Sequence, residues 1–130
     1  MLIILYLYFS SFEKYVKELE SGDIKSGSLH SSSFWEENYK EFEFNNFEYI
    51  KMLVRILQNT NNLTDRHIEM KCVACFDLGE FARLYPGGAS ILEYFGAKDI
   101  LLFLIQENNL ELKNRALVCL QKIMMRSLKK

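Results

Sequence analysis

Read for the spacing of its apolar positions, the chain is a string of amphipathic helices. Phe12, Tyr15, Val16 and Leu19 recur at three- and four-residue intervals. The run Ser10-Ser-Phe-Glu13 before them has the form of a capping box, a hydroxyl taking a first-turn amide while the glutamate bonds back. Ser21-Gly22 ends that segment, and residues 21–33 form a Ser/Gly-rich connection expected to pack on the surface, with Ile24, Leu29 and His30 as its anchors. A second box, Ser33-Phe-Trp-Glu36, opens a helix with the aromatic stripe Trp35, Tyr39 and Phe42, which Asn45-Asn46 interrupts. Residues 47–58 form a third helix carrying Phe47, Ile50, Leu53, Val54 and Leu57 on one face. The polar run Asn59, Thr60, Asn61, Asn62, Leu63, Thr64 and Asp65 is the next loop.

A long helix is expected over residues 66–85, where Cys72, Ala74, Cys75, Gly79 and Ala82 are small enough to let neighbours close in on several sides. It reads as the buried central helix. Pro86-Gly-Gly88 stops it, a short helix over 89–95 ends at Gly96 as a left-handed cap, and helices over 98–106 and 110–128 follow, the last opened by Asn108-Asn-Leu-Glu111. No segment sustains two-residue alternation, so the expected class is all-α.

The helices repeat. Met52-Leu-Val-Arg-Ile-Leu-Gln58 aligns with Ile100-Leu-Leu-Phe-Leu-Ile-Gln106 at an offset of 48, and Ala74, Leu78 and Phe81 align with Ala116, Leu120 and Ile123 at an offset of 42. The loop after the first copy is therefore six residues longer. A unit of this length, built from a short helix and two longer ones, fits armadillo/HEAT-like repeats in an α-α superhelix; a plain helical bundle is the alternative. The expected layout is one domain. Residues 1–20 are the end of a preceding buried helix, cut from a longer chain, plus a short first helix; residues 21–33 are the connection; residues 34–130 are two repeats, over about 34–85 and 87–128.

Composition narrows the function. With 130 residues, half of them hydrophobic, the chain needs no metal or disulfide to fold. Its net charge of −1, with cations interleaved among acids, offers no basic field for nucleic acid, and the closing Arg126, Lys129 and Lys130 read as a solvated tail. Three cysteines, an odd number with no paired spacing across the chain as a whole, argue against a disulfide framework and point to a reducing compartment. Met1 to Phe9 is apolar but would span about 14 Å as a helix against about 30 Å of bilayer core. It also lacks the basic start and cleavage site of a signal peptide.

Candidate chemistry is thin. Cys72-Val-Ala-Cys75 has C-x-x-C spacing, but Cys119, His30 and His67 make no second pair for zinc, and the pair sits inside a helix rather than at its N-terminus, so core packing is expected. Asp77 and Glu80 share a helix without a nucleophile or histidine at interpretable spacing, and are expected to bond neighbouring helix ends or face solvent. Nucleotide-binding loops and an H-E-x-x-H word are absent. No catalytic residue, cofactor or metal ligand is assigned. The aromatics Phe34, Trp35, Tyr39, Phe42, Phe44, Phe47 and Tyr49 read mainly as core.

Several words, in order, resemble the C-terminal domain of the H subunit of the vacuolar-type proton-translocating ATPase (V-ATPase). They are Ser10-Ser-Phe-Glu-Lys-Tyr15, Glu18-Leu-Glu-Ser-Gly22, Phe34-Trp-Glu-Glu-Asn38, Asn46-Phe-Glu-Tyr49, Gly96-Ala-Lys98 and Lys113-Asn-Arg-Ala-Leu-Val-Cys-Leu-Gln-Lys122. The most specific is Ala74-Cys-Phe-Asp-Leu-Gly-Glu-Phe-Ala-Arg-Leu-Tyr-Pro86. The chain departs from the family at Ser26-Gly-Ser-Leu-His30, where a Trp-Ser-Pro segment is usual, at Phe76, where histidine is common, and at Gly87-Gly88, in place of a more basic pair. The resemblance implies a non-catalytic regulatory subunit, peripheral on the cytosolic face of vacuolar or endosomal membranes. It would bridge the ATP-hydrolysing and membrane sectors, be needed for coupled proton transport, and silence ATP hydrolysis in the detached catalytic sector. The implied partners are the catalytic ring, the rotor and peripheral stalk, and the membrane-sector stator, with neither nucleic acid nor a membrane span. The loop Asn59 to Arg66 is the expected inhibitory contact, and Pro86, Gly87, Gly88 and Ser90 the expected second docking element. A generic armadillo/HEAT adaptor in another complex is the competing reading.

Overall fold

The computed structural model describes residues 6–59 and 64–128, and these are helical, with no strand among them. α1 (Ser11–Glu20) leads through a 3₁₀ turn at Ser28–His30 to α2 (Ser32–Asn38), and a second 3₁₀ turn at Tyr39–Glu43 feeds α3 (Phe44–Gln58). α4 (Asp65–Leu84), α5 (Gly88–Tyr94), α6 (Ala97–Leu104) and α7 (Leu110–Leu128) follow.

The first capping box forms in both directions: Glu13 N–H donates to Ser10 Oγ at 3.1 Å, and Ser10 N–H donates to Glu13 Oε1 at 2.9 Å. The other two expected boxes are displaced. Ser31, not Ser33, accepts from the Phe34 amide, and Asn109, not Asn108, accepts from the Leu112 amide. Each cap lies in a run of identical residues, Ser31-Ser-Ser33 or Asn108-Asn109, so local chemistry allows several registers and packing selects one. For α2 the selected register buries Phe34 and Trp35 together. The aromatic stripe does not stay on one helix. Asn38 donates its amide to Phe34 O and Ser11 Oγ, α2 ends there, and the following 3₁₀ turn carries Phe42 inward to stack on Trp35 at 4.2 Å between centroids.

The expected break at Asn45-Asn46 takes an unusual form. Asn45, Asn46 and Phe47 have φ of 51°, 58° and 62°, a single left-handed turn before right-handed α3. Asparagine tolerates that conformation, whereas a bulky residue does not, at roughly 1–2 kcal/mol. The Phe47 ring lies edge-on to Phe81 and Tyr85, so packing holds it there.

α4 is the centre of the molecule. It packs on α2, α3 and α5, and most extensively on α7. Cys72 lies near Glu111 and Arg115, Gly79 meets Cys119 and Lys122, and Glu80 meets Lys122, so the two helices run side by side in the same direction. A Cβ on Gly79 would stand 3.0 Å from Lys122 Cδ, which shows how close the approach is. Ala74, Leu78 and Phe81 and their aligned partners Ala116, Leu120 and Ile123 are all buried. Burying a leucine or phenylalanine contributes about 1.5–3 kcal/mol, so these buried side chains outweigh the caps, worth about 1 kcal/mol each.

Candidate docking surface

α4 separates the two expected docking segments. At its N-terminal end Asn59, Thr64 and Asp65 are exposed, and Thr60, Asn61, Asn62 and Leu63 lie outside the described residues. Thr64 Oγ1 accepts from the His67 amide at 3.3 Å and caps the helix. Arg66 is not a free contact residue. It pairs with Asp23, pairs with Glu69 at 3.1 Å and donates to Ile24 O at 2.7 Å, tying the connection after α1 to the start of α4. The Arg66 guanidinium holds the Asp23 carboxyl below its ordinary range.

At the other end Pro86 and Gly87 are exposed and Ser90 is half-buried. Gly88 is buried, and a Cβ there would stand 2.6 Å from Phe81 O, so it lets α5 close on α4 and cannot meet a partner directly. The turn and Arg126 of α7 line a cleft of about 250 Å³ together with Tyr85. The tertiary structure thus supplies a cation where the local sequence has two glycines. Tyr85 donates to Glu43 Oε1 at 2.6 Å; burial and that carboxylate push its phenol up to about 12. Because α4 has 20 residues, the two segments lie about 30 Å apart, at opposite ends of one helix.

Between them lies a polar hub that local spacing does not reveal. Asp77 is fully buried and accepts from Tyr15 OH at 2.8 Å, Trp35 Nε1 at 3.0 Å and His30 Nδ1 at 2.5 Å. The other His30 nitrogen donates to Glu18 Oε1 at 2.6 Å. An imidazole between two carboxylates is set up as imidazolium: burial opposes the charge, but Asp77 and Glu18 outweigh it and raise the His30 pKa. Burial raises that of Asp77, against its three donors. The sequence expectation for Asp77 is therefore corrected, since it meets side chains from the connection, α1 and α2 in the core. The available signal was an aspartate on the face of α4 that also carries Ala74 and Leu78.

Glu80 is also buried. Burial pushes its pKa up, but Arg83, the Ser32 hydroxyl and Lys122 outweigh that and hold it at about 2. Cys72, Cys75 and Cys119 are buried free thiols; burial pushes Cys72 to about 11 and Cys119 to about 12, conditions under which thiolate chemistry is suppressed. Of the aromatic group, Phe34, Trp35, Phe42 and Tyr49 are buried, Tyr39 and Phe47 pack partly, and Phe44 is exposed. Among the described residues no helix is long and apolar enough to cross a membrane, and no group of three His, Cys, Asp or Glu side chains is placed to hold a metal ion.

The family model for the V-ATPase H subunit matches residues 8–128, nearly the whole chain. The chain belongs to the V-ATPase H subunit family. Its match is to the C-terminal domain of that subunit. The V-type proton ATPase H subunit of Drosophila melanogaster is 34% identical over 116 residues, covering 88% of this chain and 24% of the relative. A probable V-type proton ATPase H subunit of Caenorhabditis elegans is 32% identical over 80 residues, covering 62% and 17%. A probable V-type proton ATPase H subunit of Oryza sativa subsp. japonica is 35% identical over 51 residues, covering 39% and 11%. The chain thus spans about a quarter or less of the length of these relatives.

Proposed function

We propose that the chain is a non-catalytic regulatory element of a vacuolar-type proton pump, on the cytosolic face of the vacuolar or endosomal membrane. It bridges the ATP-hydrolysing and membrane sectors, serves coupled proton transport, and inhibits ATP hydrolysis by the detached catalytic sector. Its partners in this reading are the catalytic ring, the rotor and peripheral stalk, and the membrane-sector stator. The observation that carries the reading, beside the family match, is the placement of two polar segments at opposite ends of α4. A stiff block with a docking end at each pole can exchange one partner for another as assembly changes, each contact having only modest affinity.

The inhibitory contact is assigned to Asn59 to Arg66, and the second contact to Pro86, Gly87 and Ser90 with Arg126. Arg66 serves the first by holding the loop's exit against Asp23. The test adds the chain to detached catalytic sector and measures ATP hydrolysis. Deleting six residues from the seven-residue run Asn59–Asp65 should relieve inhibition while the circular dichroism of the helices is unchanged. Undiminished inhibition by the shortened form would remove the loop from the reading, and absence of inhibition by the intact chain would remove the inhibitory role.

A further inference from the structure

α7 is apolar on both sides. Toward the core it buries Ala116, Cys119 and Ile123. The outward face of such a helix is expected to be polar, yet Leu110 is 70% exposed, Met125 59%, Val118 47%, Met124 47% and Leu117 41%. Residues 110, 117 and 124 repeat at seven-residue spacing, as do 118 and 125, so these side chains form two apolar rows on one side of the helix, with exposed Asn114 and Gln121 between them. One flank of the strip opens into a groove of about 690 Å³ between α7 and α4. Cys75, Phe76, Cys119 and Val118 line it, together with two cations, Arg115 and Lys122, and one acid, Glu111.

The charge on α7 states what fits there. The helix carries Lys113, Arg115, Lys122 and Arg126 against Glu111 alone, in a chain whose net charge is −1. Lys122 is paired with Glu80 at 3.3 Å and lies over the Phe76 ring, while Lys113, Arg115 and Arg126 have no carboxylate partner among the described residues. A strip with this apolar spacing and net positive charge matches a helix with apolar anchors at i, i+3 or i+4, and i+7 flanked by acids. Pairing of two α7 faces would instead set cations against cations.

We propose that the outer face of α7 and its groove against α4 receive an acidic amphipathic helix from another protein. This rests on α7 alone and is independent of the inhibitory reading of the loop. The test measures fluorescence anisotropy of two labelled 18-residue designed helices binding to the intact chain, identical in their leucine strip and differing only in Glu or Lys flanks. The Glu peptide should bind at least tenfold more tightly than the Lys peptide, and more weakly as salt rises. Val118→Asp should weaken that binding at least tenfold, and Arg115→Glu, a surface change, should reverse the charge preference. Equal binding of both peptides, or indifference to Arg115→Glu, would overturn the proposal. It would also fall if neither peptide bound and Val118→Asp instead abolished binding to anionic phospholipid vesicles, or concentration-dependent dimerisation, assigning the face to a lipid surface or a second copy.

Discussion

His30 and Asp77, 47 residues apart in the chain, meet at 2.5 Å in the core, and through them the connection after α1 is bolted to the central helix. The imidazole is 3% exposed and faces Asp77 from α4, Glu18 and Tyr15 from α1. Glu69, Cys72, Glu111 and Arg115 line the cleft beside it.

The pH dependence of stability follows from the direction of these shifts. The folded His30 pKa lies above its ordinary 6.5, so its contribution is complete below 6.5 and is lost as pH rises through the folded value. Glu80, at about 2 against an ordinary 4.5, contributes fully above 4.5 and loses that contribution as pH falls toward 2. Urea denaturation at a series of pH values should show stability falling on the alkaline side of 6.5, and His30→Gln should flatten that limb while leaving the acid limb in place.

Asp77→Ala should cost about 3–5 kcal/mol, because it strands a buried imidazolium and two further donors. Asp77→Asn keeps the shape and some of the bonds, and should cost about 1–3 kcal/mol. Equilibrium unfolding monitored by Trp35 fluorescence separates the two, since that indole donates to the carboxylate itself.

Gly88→Ala should destabilise the fold by about 1–3 kcal/mol. The obstructing atom is the backbone oxygen of Phe81, which no side-chain rotation can move. Gly87→Ala is strained by its φ of 78° but meets no neighbour, so thermal melting should rank it as the milder change.

Asn46→Gly should raise the melting temperature slightly, as glycine enters the left-handed region without steric cost. Asn46→Val should do the opposite, and the pair of melting temperatures tests whether the left-handed turn persists in solution.

The thiols should be inert. Iodoacetamide at pH 8 should label Cys75 and Cys119 far more slowly in the native chain than in urea.

Much of the helical plan was legible because it is local. Helical spacing, the Ser10 box, the stop at Pro86 and the left-handed Gly96 depend on residues within a few positions of one another, and all are found where they were expected. The self-alignment picked out Ala74, Leu78 and Phe81 with Ala116, Leu120 and Ile123, and all six are buried. The caps at Ser31 and Asn109 were less legible, because runs of serine and asparagine permit several registers and only the burial of Phe34, Trp35 and Leu112 chooses among them.

The sequence by itself determined the helix periodicity, the repeat and the family, because each is written in order and spacing. Only the tertiary structure decided the rest: that His30, Tyr15 and Trp35 converge on Asp77, that Arg66 faces Asp23 rather than solvent, that Arg126 stands beside the Pro86 turn, and that α7 leaves an apolar strip uncovered. Each depends on groups brought together from distant parts of the chain or on a face left without a neighbour. Packing creates those relationships, and local spacing carries no record of them.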